Sequence, residues 1–384
     1  MAVRLLANEI SDLCLGKPAL RCLSTAATVG DALSALRKSG DAAVSLWSCD
    51  DLPPSEATTD REKGGCVCVG KVCIVDIVCF LCREENLADP AAALRSKVEA
   101  IVPKVAGLVR HLEPHASLLD AIELILEGAQ NLVVPLRSRR GAIPRKNLLH
   151  HHREYCWLTQ EDIIRYLLNF INLFAPTPAL RINSLGIIDT DSILAVHYYD
   201  PAASALRLIP ESNLKQTAVA IVDDEGQLIG EISPLTLSSC DLTVSAAVLT
   251  LSAGDLMAYI DCGGPPEGLV RLVKERLQEK NLVTFLESLE EELAFSLPSA
   301  SSSSSDEEFG CVRNGRVGGY SARMVRRSEA IMCYPSSSLV AVMIQALAHR
   351  VSYVWVVEED GSLAGIVTFK SMLRVFHERL RSMS

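Results

Sequence analysis

The chain switches repeatedly between two hydrophobic rhythms: apolar residues every three or four positions, and short unbroken apolar runs. The last stretch is the clearest. Leu339, Val342, Met343, Ala346 and Leu347 fall on one helical face, and Tyr353 to Val357 reads as a buried strand. Glu359-Asp360-Gly361 turns the chain, Leu363 to Thr368 returns as a second strand, and Ser371 to Phe376 opens another helix. The same order occurs upstream. Ala202 to Leu208 is helical, Ala218 to Val222 is a strand, Asp224-Glu225-Gly226 turns, and Leu228 to Ser233 returns.

Two further copies in the first half are interrupted at the hairpin. In one, Val29, Ala32, Leu33 and Leu36 form the helical face, Ala43 to Trp47 the strand and Val67 to Val75 the return. In the other, Leu118, Ala121, Ile122, Ile125 and Leu126 lead to the strand Leu132 to Leu136, the return Tyr155 to Thr159 and a helix from Asp162 through Phe170. Both inserts fall at hairpin tips, where extending a loop costs little stability. The second is strongly basic and carries His150, His151 and His152, but adjacent histidine side chains diverge and no spaced ligand set completes a metal site.

Four βαββα units of the α/β (α+β) class are therefore expected. They span 1–85 with an insert at 48–65, 95–172 with the basic insert at 137–154, 176–262, and 319–384. Residues 263–318 form a linker. Within it Leu269 to Leu293 reads as an amphipathic helix, and Ser299 to Glu308 is a serine-rich acidic run that cannot bury enough apolar surface to order itself. Serines followed by acids also fit an acidophilic kinase.

Composition narrows the function classes. The 384 residues carry a net charge of −10, which argues against a nucleic-acid partner and leaves any anionic ligand dependent on a local basic site. Thirteen cysteines, an odd number without a secretory signal, argue against a disulfide framework and for a reducing, cytoplasmic setting. No apolar run reaches the roughly 18 residues of a membrane span. Cys66-x-Cys68 and Cys79-x-x-Cys82 superficially resemble metal knuckles, yet they fall on a strand and a helix without a tight turn, so small buried hydrophobes are the better reading. No nucleophile elbow, Walker loop or zinc-protease motif appears, so no catalytic residue is assigned and a non-enzyme is expected.

The repeated unit resembles the CBS-domain family, and specifically the plant CBSX-type proteins with four repeats in two tandem pairs. The resemblance implies two Bateman modules, each with two clefts for adenosine-containing ligands, and a Gly-x-x-Thr-x-x-Asp motif from the last strand into the last helix. There a hydroxyl and helix N-terminal amides favour phosphate, and the carboxylate accepts the ribose hydroxyls. The first copy keeps Gly70 and Asp76 but has Cys73 for the threonine, and the second keeps Thr159 and Asp162 but has Cys156 for the glycine. The third copy keeps Gly230 and Ser233 and ends in Thr236, whereas the fourth keeps Gly365 and Thr368 and ends in Ser371. Gly70, Lys71, Asp76, Thr159 and Asp162 are thus the candidate ligand contacts, with Arg110, His111 and Arg165 as further cations. Thr159-x-x-Asp162 reads equally as a helix cap.

The resemblance implies a regulatory protein requiring no cofactor, with AMP, ADP or ATP as regulatory ligand and a partner protein, a kinase or other enzyme, as its target. The alternative is a ligand-free scaffold like the γ subunit of an SNF1-type kinase complex. Homodimerisation is compatible with either.

Overall fold

Period-two alternation sends the two faces of each strand to different neighbours, and this organises the whole chain. In the strand Val219–Val222, Val219 and Ile221 enter one hydrophobic cluster, while Ala220 and Val222 enter another. In Val44–Ser48, Val44 and Leu46 join the helix-side cluster, whereas Trp47 points the other way and meets Cys68 and Val133. A sheet buried on both faces needs a partner on each.

The computed structural model describes residues 9–48, 66–136, 154–238, 243–261, 265–296 and 328–383. After a short helix α1 (Ile10–Leu13), the first repeat comprises β1 (Cys22–Ser24), α2 (Val29–Ser39), β2 (Val44–Ser48), β3 (Val67–Val72) and α3 (Ile74–Leu81). Helix α4 (Pro90–Arg95) leads to the second: β4 (Val109–His111), α5 (Leu118–Leu126), β5 (Asn131–Pro135), β6 (Tyr155–Thr159) and α6 (Gln160–Asn169). The third is β7 (Ala195–His197), α7 (Ala205–Lys215), β8 (Val219–Val222), β9 (Leu228–Ile232) and α8 (Pro234–Ser238). Helices α9 (Thr243–Thr250), α10 (Ala253–Ile260), α11 (Glu267–Glu279) and α12 (Val283–Ser296) intervene. The fourth is β10 (Met332–Cys333), α13 (Leu339–His349), β11 (Tyr353–Val357), β12 (Leu363–Thr368) and α14 (Phe369–Met383).

Each repeat holds one three-stranded sheet whose leading strand runs parallel to the second and whose third returns antiparallel. The leading strands are only two or three residues long, too short to mark themselves in the sequence. Sheets pair in chain order. Trp47, Cys68 and Val133, with Tyr155 and Trp157 around them, seal repeat 1 on repeat 2. Between repeats 3 and 4, buried Glu231 accepts from Tyr353 Oη at 2.6 Å and Trp355 Nε1 at 2.7 Å. Helices then pair across the modules: repeats 1 and 3 share one core, repeats 2 and 4 the other.

Three sequence expectations are adjusted. The return strand expected over Val67 to Val75 ends at Val72, because Asp76 Oδ2 accepts from Cys73 N at 2.8 Å and so caps a helix that has already begun. Leu269 to Leu293 is two helices, reversed at Asn281, whose φ is 53°, so that Val273, Leu277, Phe285 and Leu289 fold back on to the core shared by repeats 1 and 3. The C-terminal helix starts at Phe369, ahead of Ser371. The expected hairpin insert at 50–65, the basic run 137–153 with its histidines, and Ser299 to Glu308 lie outside the described residues.

Candidate functional site

In each module the return strand of one repeat faces the segment that leads into its partner repeat, and four such clefts arise. The motif glycine is where the two approach. A Cβ on Gly70 would stand 3.0 Å from Val102 Cγ1, one on Gly230 would stand 2.7 Å from Ser328 O, and one on Gly365 would stand 2.5 Å from Ile188 Cγ2. In the second repeat Cys156 replaces the glycine, and its thiol hydrogen-bonds with Cys14 from the facing segment. That contact holds the Cys14 thiol below its ordinary value and pushes Cys156 up.

The four clefts differ in how far they open. Gly70, Lys71 and Asp76 come together around a space of about 30 Å³, closed by Val102, Asn213 and Leu214. That is room for about two waters at most, not for a ribose. Both oxygens of Asp76 are taken: Oδ2 accepts from Cys73 N and Sγ, each at 2.8 Å, and Oδ1 from Asn213 Nδ2 at 3.1 Å. Burial raises the Asp76 carboxyl, with these bonds opposing. The Gly230 cleft is likewise filled, since an added Cβ would meet Met257 Cε at 2.3 Å.

The other two clefts are open, at about 330 Å³ each, the lower end of small-ligand pockets. One is lined by Lys71, Asn131, Trp157 and Thr159, facing Lys17 to Arg21. Thr159 caps α6 through a reciprocal box: Asp162 N donates to Thr159 Oγ1 at 3.3 Å, and Asp162 Oδ2 accepts from Thr159 N and Oγ1 at 2.7 Å. Lys17 Nζ lies on the same Oδ2 at 2.5 Å and also donates to Trp157 O at 2.9 Å. Asp162 is therefore screened from this cleft by an ammonium from the facing segment. The second open cleft is lined by Thr368, Lys370, Asp189, Ser192 and Thr217.

Both open clefts share lining residues with a central cavity of about 320 Å³ built from all four repeats, to which Lys71, Asn131, Thr217 and Arg350 contribute. Asn131 Oδ1 and Thr217 Oγ1 are buried there without a hydrogen-bond partner among the described residues. Orphaned buried polar atoms cost free energy, so these two mark where a polar ligand has most to offer.

A family model described as "CBS domain" matches residues 322–378, the fourth repeat. CBS domain-containing protein CBSX5 of Arabidopsis thaliana is 43% identical over 398 residues, covering 100% of both chains. The chain belongs to the CBS-domain protein family. A second Arabidopsis relative of this CBS protein, the SNF1-related protein kinase regulatory subunit gamma-like PV42b, is 23% identical over 99% of the chain and 97% of its own length. Among solved structures, protein MJ1225 of Methanocaldococcus jannaschii aligns over 96% of this chain and 100% of its own, with TM-score 0.55 at 16% identity, a likeness of fold.

Of the residues singled out from sequence, the CBS fold brings Lys71 and Thr159 to one open cleft, sets Asp162 behind Lys17, and encloses Gly70 and Asp76. Arg165 pairs with Glu161 one turn along its own helix, and His111 Nε2 accepts from Cys68 N at 3.1 Å within the sheet interface. Arg110 Nε stands 3.3 Å from a Cβ built on Gly107, on its own loop. Cys68, Cys73 and Cys82 are buried, and burial pushes the thiols of Cys68 and Cys82 up to about 12. Lys17 and Asp189 escaped the sequence reading. Their one signal is position, a few residues ahead of the leading strand in repeats 1 and 3. Among the described residues no helix is long and apolar enough to cross a membrane.

Proposed function

We propose that this CBS protein is a non-catalytic regulator that binds an adenine nucleotide in the open cleft between Lys71 and Thr159 and thereby changes how it docks on a partner protein. The observation that carries the reading is that cleft: about 330 Å³, bounded by the N-terminus of α6 and Lys71, and sharing Lys71, Asn131 and Thr159 with the lining of the central cavity. The helix N-terminus and Lys71 suit a phosphate. Asp162 is the ribose acceptor once Lys17 leaves it. Ligand shifts docking only through its differential affinity for the two states, so measurable binding is required. The relative whose name makes it a kinase regulatory subunit supports the choice of a kinase complex as partner.

The test is calorimetric titration of the full chain with AMP and ATP, beside Asp162→Ala. Binding that the substitution weakens about tenfold, about 1.4 kcal/mol, supports the assignment. No heat and no thermal shift at millimolar nucleotide would remove it. That outcome favours the second reading, a ligand-free kinase scaffold, which has its own observation in the two clefts filled by their own side chains.

A further inference from the structure

The segment ahead of repeat 1 is tied to β6 on either side of one residue, Cys156. Leu20 N donates to Tyr155 O at 2.8 Å, and Lys17 Nζ donates to Trp157 O at 2.9 Å. At its other end the segment is held to the loop before α5, with Ile10 N on Ala116 O at 3.1 Å and Ser11 N on Pro114 O at 2.8 Å. Between these anchors α1 ends and the chain reverses at Gly16, whose φ is 78°, a conformation that glycine adopts without strain. The reversal leaves Leu15 in solvent and turns Cys14 inward, where it is 4% exposed. There its thiol meets that of the fully buried Cys156, and both cysteines are free.

Other buried thiols are spent on the backbone: Cys68 donates to Gly70 O at 3.5 Å and Cys82 to Ser245 O at 3.8 Å. Among the described free cysteines Cys14 alone is held below its ordinary value. The bond from Cys156 does most of this and the Lys17 ammonium adds to it, against burial and the Asp162 carboxylate. The thiolate is the nucleophile in thiol oxidation, so an attacking sulfur and a resolving one lie side by side. Cys14 follows a helix of four residues tethered at its ends, a low-stability part of the fold. Its opening admits a small oxidant to Cys14 while β6 stays paired with β5.

We infer that Cys14 and Cys156 form a reversible dithiol/disulfide site, oxidised by a peroxide, whose closure clamps the segment carrying Lys17 on to β6. The Cys14 thiolate attacks one oxygen of hydrogen peroxide, the O–O bond breaks, and Cys14 sulfenic acid and hydroxide result. Cys156 then attacks that sulfur: the S–S bond forms, the S–O bond breaks, and the oxygen leaves with the Cys156 proton as water. The two sulfurs together give up the two electrons that reduce the peroxide, and a dithiol reductant restores the pair by exchange. Lys17 and Trp157, the cleft-lining neighbours of the two cysteines, make the link an edge of the open cleft. The site stands whatever occupies that cleft.

The test is made on the full-length chain, reduced, exposed to hydrogen peroxide, alkylated and digested with trypsin for mass spectrometry. The peptides 5–21 and 154–165 carry one cysteine each, so a link between them identifies the pair. The link is expected to form at least about tenfold faster in the native chain than in the urea-unfolded one, because folding holds the two sulfurs together, and to vanish with dithiothreitol. Lys17→Met, its fold checked by thermal unfolding, is expected to slow it severalfold. Hydrogen exchange across 10–20 is expected to slow in the oxidised chain and to be indifferent to peroxide in Cys14→Ala. Linkage no faster in the native chain than in urea, or Cys14 carried to sulfinic acid with Cys156 still alkylated, would overturn the site. Linkage that leaves exchange across 10–20 unchanged would overturn the clamp.

Discussion

Lys17 is a tethered competitor for the acceptor that a ribose would use, so removing its charge should tighten nucleotide binding. Its Nζ is 2.5 Å from Asp162 Oδ2, and the two side chains are 21% and 25% exposed. A pair this enclosed exceeds the roughly 0–1 kcal/mol of a surface ion pair. It falls toward the lower end of the about 1.5–3 kcal/mol of hydrogen bonds to charged groups. Displacing it therefore costs a ligand about 1.4 kcal/mol, a factor of about ten in Kd. Lys17→Met keeps the length and apolar body of the side chain and leaves the Thr159 bonds to Asp162 intact, so the helix cap survives. Isothermal titration of AMP into both proteins should give a Kd about tenfold lower for the variant. The competition would also weaken the effect of salt on binding, since the displaced pair is screened by added ions. Equal affinity would refute the competition. Weaker binding would refute it more sharply, because it would mean that the ammonium turns on to the bound phosphate.

Other consequences concern stability. Glu231→Ala strands the Tyr353 hydroxyl and the Trp355 indole N–H in the sealed interface between repeats 3 and 4, and should cost about 3 kcal/mol in urea unfolding; a loss under about 1 kcal/mol would contradict the packing. Gly230→Ala forces a methyl against Met257 and the Ser328 carbonyl and should cost about 2 kcal/mol, read as a lower Tm. His111 is held below its ordinary value of 6.5, first by burial and against the pull of Glu113. The unfolded chain then binds more protons than the native one between the two values, so this residue's stabilisation is complete above about 6.5 and lost as pH falls through the native value. Unfolding free energies at pH 7.5 and 5.5 should differ less in His111→Gln than in the wild type, and an identical pH dependence would exclude the residue as a source.

The repeat and most of its elements were legible because each copy writes its helix and strand periods locally. Leu339 to Leu347 and Tyr353 to Val357 declare themselves without reference to any neighbour. The motif positions were legible too, but their condition was not. Asp76 and Asp162 look alike in the chain, each an acid at the third position of its helix, and both close capping boxes. What separates them is what leans on each: Asn213 and Leu214 from repeat 3 close the first, Lys17 from the far side of the module screens the second.

Sequence alone therefore determined the βαββα unit, its fourfold repetition and the family, since all three rest on contacts within a few turns of chain. Tertiary structure decided which clefts open, which carboxylate is screened and that Asp189 lines the cleft of repeat 4. Those outcomes depend on side chains more than a hundred residues apart meeting across a sheet or between modules, as Lys17 and Asp162 do, and no local period records such a meeting.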